Sequence, residues 1–202
     1  MKRISLICSF MLMLVLSVQA QQQAKYIFYF IGDGMGVNQV QGTEMYLSEL
    51  KGEIGITPLQ FTQFPYATIA TTYSATNGVT DSAAAGTALA TGSKTMNGAL
   101  GVTKDEESVS NVATWAKENG YRVGISSSVS IDHATPAAFY AHQAKRSSYY
   151  QVGLDLIEAN FDFYAASDFL DPNNEKAKDG KTYESLYDLT QKAGFTLARG
   201  YK

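Results

Sequence analysis

Cysteine is all but missing from this 202-residue chain, which holds one, Cys8, close to its start. A lone thiol excludes a disulfide scaffold and a cysteine-built metal site. An excess of one charge is missing too, since 16 Lys+Arg face 19 Asp+Glu for a formal net charge of −3. That balance offers nucleic acid no electrostatic footprint, and no nucleic-acid-specific binding is expected. With 4 Pro and no repeat among its 17 Gly, the chain is not collagen-like. What is present is 45% hydrophobic and 12% aromatic, enough for a real core and too much for a disordered tail. One globular domain, or part of one, is implied.

Residues 1–20 stand apart. Lys2 and Arg3 precede an apolar run over 4–18, and Val18-Gln19-Ala20 is a small-residue end, so the segment reads as a secretory signal peptide. An N-terminal membrane anchor is the alternative, for which the run is short. Cleavage after Ala20 would leave 182 residues (21–202), remove Cys8, and take the charge from −3 to −5. A periplasmic or secreted protein is then expected, with no further run long enough to cross a bilayer.

Beyond residue 24, strand-like and helix-like stretches alternate. Strands are predicted over 26–31, buried on both faces, then over 66–73, 122–126, 161–165 and 195–197. Helices are predicted over 37–50, 81–90, 108–119, 149–159 and 183–193, with Gly120 and Gly194 as stops. Residues 168–181, charged and carrying Pro172 and Gly180, read as a surface loop with nothing like a catalytic device. The β-α alternation predicts an α/β fold, a mostly parallel central sheet with helices on both faces. Ligands in such folds sit beyond the carboxyl ends of the strands.

Three segments could carry chemistry. In Gly32-Asp33-Gly34-Met35-Gly36 a carboxylate stands between glycines that let a ligand approach, and its hard oxygens suit a divalent cation. A turn with an Asp cap is the equal alternative, and the glycine spacing does not match a dinucleotide fingerprint. In Thr80-Asp81-Ser82-Ala83-Ala84-Ala85-Gly86-Thr87, Asp81 or Ser82 falls where a helix begins. A hydroxyl there either caps the helix or presents an oxygen nucleophile to a phosphate whose charge the free amides offset. In His133-Ala134-Thr135-Pro136, Thr135 and Pro136 form an N-cap and N1 pair that is as readily structural as ligand-binding. Arg146, further on, offers a planar fork for two phosphate oxygens.

Taken together and in this order, the three segments resemble the N-terminal part of an alkaline phosphatase. The motif resemblance spans residues 26–146, and its Asp81-Ser82-Ala83-Ala84 run is the most specific element. It implies that Ser82 is the transiently phosphorylated nucleophile and that Arg146 grips the phosphate, with Asp81 orienting it. It implies that Asp33 bridges a zinc and a magnesium ion, that Thr135 is a magnesium ligand, and that His133 sits near that metal. The cofactors implied are two Zn²⁺ and one Mg²⁺, and the partners are small-molecule phosphate monoesters, with a homodimer left open. The reaction the resemblance implies is two in-line displacements, first by Ser82 on phosphorus and then by a zinc-bound hydroxide on the phosphoseryl group. Uncatalysed monoester hydrolysis is so slow that accelerations reach about 10²¹, which demands several cations.

The chain departs from that pattern in its histidines. It has two, His133 and His142, whereas the resemblance requires further zinc ligands from a C-terminal half. A fold incomplete at the C-terminus, and weak or absent activity of the 202-residue product alone, are therefore expected. The competing readings are a non-catalytic phosphate- or metal-binding fragment or paralogue, and a related sulfatase or phosphodiesterase.

Overall fold

The computed structural model describes residues 24–200. The signal-peptide reading of residues 1–20 therefore lies outside the described residues. The chain divides into two compact units, Met1–Val40 and Gln41–Lys202. In the first, Met35 donates to the Gly32 carbonyl at 3.1 Å, closing a turn around Asp33 that Gly34 completes at φ +70°. Helix α1 (Val37–Glu49) starts directly after it and runs into the second unit.

In the second unit, Glu44 on α1 accepts from the Leu59 amide at 2.8 Å and the Thr62 hydroxyl at 2.6 Å, which ties the helix to the 3-10 turn Gln60–Gln63. The core lies further along. Helix α2 (Ser82–Thr91) buries Ala83, Ala84, Gly86, Thr87 and Ala90, and ends on Gly92 in the left-handed conformation. Small residues on this face let it lie close to α4 (Ala134–Ala137). A Cβ placed on Gly86 would stand 2.8 Å from the Ala138 Cβ. Thr87, wholly buried, accepts from the Gly101 amide at 3.0 Å and donates to the Ala99 carbonyl at 3.3 Å. That buried hydroxyl fastens α2 to the loop beside it.

Helix α3 (Val112–Glu118) is capped by Asn111, whose side chain accepts from the Thr114 amide. Strand β1 (Gly124–Ser126) pairs in parallel with β2 (Phe163–Ala165), Gly124 opposite Phe163 and Ser126 opposite Ala165. Between them runs α5 (Tyr149–Ala159), a helical crossover of the kind parallel strands require. Helix α6 (Leu186–Lys192) sets the fully buried Leu186 into the space beside Gly153 of α5. The fold is α/β, with a parallel sheet and helical connections.

Helix positions follow the sequence closely, and α5 occupies the predicted residues. Three predicted strands are not strands: residues 26–31, 66–73 and 195–197 have no ladder partner among the described residues. Instead of being buried on both faces, the first exposes Tyr26 at 72% and Phe30 at 88%, and in the second Ile69 is 98% exposed. Side-chain pattern makes a segment eligible for a sheet, but only a neighbouring backbone makes it a strand. Thr135 is not an N-cap either. Helix α4 starts at Ala134, and His133, with extended backbone, is the capping residue.

Candidate phosphate site

The site grows from the start of α2. Asp81 is the N-cap: its Oδ1 accepts from the Ala84 amide at 2.9 Å, and its carbonyl accepts from the Ala85 amide at 3.0 Å. Ser82 is the first helical residue, so its own amide and that of Ala83 have no acceptor within the helix. Ser82 itself is half-buried. A half-exposed hydroxyl beside free amides and the positive end of a ten-residue helix is suited to meeting an anion.

The second oxygen of Asp81 faces Arg146, whose Nη1 lies 3.0 Å from Oδ2. Arg146 stands in a turn, and its backbone is fixed by a bond from its amide to the Gly98 carbonyl at 2.6 Å. Its Nη2 reaches His133 Nε2 at 3.4 Å. A guanidinium only donates, so in the neutral ring Nε2 is the acceptor and the proton sits on Nδ1. Nδ1 is buried and has no hydrogen-bond partner among the described residues. Burial pushes the Asp81 carboxyl up, but the amides of Ala84 and Gly98 and the Arg146 guanidinium outweigh it and hold the group below its ordinary range. Asp81 is an anion at neutral pH.

The structure thus brings together Asp81, Ser82, Arg146 and His133. Thr135 lies two residues beyond His133, half-buried in the first turn of α4. Asp33 is exposed in the turn of the N-terminal unit. Sequence reasoning missed Asn97. Its Oδ1 accepts from the Asp81 amide at 3.3 Å, and its Nδ2 donates to the Val79 carbonyl at 3.0 Å, holding the segment that leads into Ser82. An Asn in a polar loop gives no advance sign of such work.

Metal-binding capacity is uneven. Among the described residues no group of three or more His, Cys, Asp or Glu lies close enough to hold an ion. Of the two imidazoles, His142 Nε2 rests 3.1 Å from the Val109 carbonyl, and His133 Nε2 faces a cation. A two-zinc centre does not fit these residues on their own. The Asp33 carboxylate and the Thr135 hydroxyl are hard oxygen donors of the kind magnesium takes.

Comparison with known proteins follows the same lines. Residues 24–162 match the family model described as alkaline phosphatase. The tissue-nonspecific alkaline phosphatase isozyme of Gallus gallus is 38% identical over 154 residues, covering 68% of this chain and 29% of that protein. Alkaline phosphatase 4 of Drosophila melanogaster is 40% identical over 131 residues, 60% of this chain and 22% of that protein. Among solved structures, the alkaline phosphatase from the Antarctic bacterium TAB5 superposes with a TM-score of 0.70 at 28% identity, covering 84% of this chain and 46% of that one. A histidine-to-aspartate variant of that enzyme, with Mg bound, superposes with a TM-score of 0.62 at 28% identity over 77% of this chain and 44% of that one. The chain spans less than a third of the two curated relatives and under half of the TAB5 enzyme.

Proposed function

Because the chain belongs to the alkaline phosphatase family, we propose that it supplies the phosphate-handling part of an exported, metal-dependent phosphate monoester hydrolase that works through a phosphoserine. One observation carries the reading. A single carboxylate, Asp81, both starts the helix that presents Ser82 and holds Arg146 beside it. Nucleophile and anion clamp are set by the same group.

The chemistry follows from these residues. The monoester's phosphate meets the amides of Ser82 and Ala83, and the Arg146 fork donates to two of its oxygens. The Ser82 oxygen bonds to phosphorus as the bond to the leaving oxygen breaks in line; the serine proton goes to solvent and the departing oxygen takes one up. Water then attacks phosphorus from the opposite side, releasing inorganic phosphate and restoring the hydroxyl. Thr135 is the proposed oxygen ligand to a metal ion, which when bound supplies positive charge against the phosphate oxygens; Asp33, in the N-terminal unit, is separately proposed as a carboxylate metal ligand.

That no three or more His, Cys, Asp or Glu side chains gather among the described residues favours a second reading, a phosphate holder without turnover. Hydrolysis of an aryl phosphate, followed with zinc and magnesium present in the chain and in its Ser82→Ala form, separates the two. A rate that vanishes in Ser82→Ala supports the first, and an equal rate in both overturns it. Tight phosphate binding with no turnover selects the second. Secretion or periplasmic residence belongs to the same proposal. No helix among the described residues is long and apolar enough to cross a membrane.

A further inference from the structure

Asp132 stands one residue before the site, is fully buried, and plays no part in the phosphate chemistry. Its Oδ2 accepts from the Leu170 amide at 2.8 Å. That bond is the last rung of a ladder between two loop segments. The Ser167 amide donates to the Val129 carbonyl at 3.1 Å, and the Ile131 amide to the Asp168 carbonyl at 2.9 Å. Opposite them, the Tyr140 hydroxyl donates to the Ile131 carbonyl at 2.5 Å. Residues 129–132 are therefore held from two sides just where the chain enters α4.

We infer that Asp132 is a positioning residue, its carboxylate bond to the Leu170 amide fixing where the His133 imidazole meets Arg146. His133 is its backbone neighbour, and the His133 amide in turn donates to the Ser130 carbonyl at 3.1 Å, so the ring is carried on the clamped turn. The segment that reads in sequence as a surface loop without a catalytic device supplies the other half of the clamp. Asp168 fixes that loop outward through the Tyr187 hydroxyl at 2.5 Å and Arg199 at 2.9 Å. Releasing the Asp132 bond removes the tie between residue 132, itself fully buried, and the more exposed Leu170, and lets residues 130–133 turn. The ring of His133 then leaves the guanidinium.

The inference rests on the reading of Arg146 and His133 as part of the phosphate site, but its test needs neither phosphate nor turnover. The chain has two histidines, so proton–carbon correlation spectra show two sets of ring signals, with His142 as the internal reference for folding. Asp132→Ala should displace the His133 ring signals and leave those of His142 in place. Asp132→Asn, which keeps an acceptor oxygen for the Leu170 amide, should restore them. Leu170→Pro, which removes the donor instead, should displace them as Asp132→Ala does. Unmoved His133 signals in either folded variant, or an Asp132→Asn spectrum as displaced as that of Asp132→Ala, would overturn the inference. Loss of both histidines' signals in both disruptive variants would also overturn it, by making the bond a general core contact.

Discussion

Asp81 divides its two oxygens between two tasks: Oδ1 closes the first turn of α2, and Oδ2 holds Arg146 Nη1 at 3.0 Å. The two tasks separate by substitution. Asp81→Ala removes both and should cost about 1–2 kcal/mol of stability through the lost cap alone. Asp81→Asn keeps a good cap and loses only the charge beside Arg146, so it should be less destabilised than Asp81→Ala while weakening the hold on Arg146. Urea denaturation and phosphate titration of the two variants check this.

The same carboxylate sets a pH dependence. Its folded-state pKa lies below the unfolded value of about 3.9, so its contribution is fully present above that value and is lost as pH falls through the folded one. The stability gap between wild type and Asp81→Asn should be constant from neutral pH down to about 5. It should narrow in stronger acid. A gap that widened on acidification would contradict the assignment.

Arg146 is the anion clamp of this account. Charge-assisted hydrogen bonds contribute about 1.5–3 kcal/mol, so Arg146→Ala should weaken phosphate binding by about 10- to 100-fold. Arg146→Lys keeps the charge without the fork and should recover only part of the loss. Isothermal titration with inorganic phosphate measures both, and full recovery by lysine would show that geometry is unimportant there.

Close helix packing supplies a further test. An alanine at position 86 would meet Ala138 Cβ at 2.8 Å, and neither atom can rotate away. Gly86→Ala should destabilise by about 1–3 kcal/mol, the usual range for overpacking. Ala138→Gly in the same chain should return part of it, read as the midpoint of urea unfolding. No recovery would mean that the strain lies elsewhere.

Much of the framework was legible in sequence because its signals are local. Asp81 or Ser82 at the start and the alanine-rich run after it mark α2 in the sequence, and α5 falls on the residues predicted for it. The strands were not legible in the same way. Residues 26–31 and 66–73 have strand composition, but a ladder depends on a distant backbone that composition does not reveal. The four-residue α4 was misplaced because an extended His133 caps it without a side-chain bond, which no residue preference announces. The Asp81–Arg146 pair bridges 65 positions and entered the reading only through resemblance. Asn97 and Asp132 act through backbone groups across loops, and loops carry no periodicity to read.

Where the phosphoryl group goes decides the account. The chain, supplied with zinc, magnesium and inorganic phosphate, is quenched in acid, digested, and its phosphopeptides are mapped by mass spectrometry. The expected result is a phosphate ester on Ser82 that disappears in Ser82→Ala. Phosphate on another side chain, or a chain that binds phosphate and hydrolyses monoesters with no ester formed at Ser82, would contradict it.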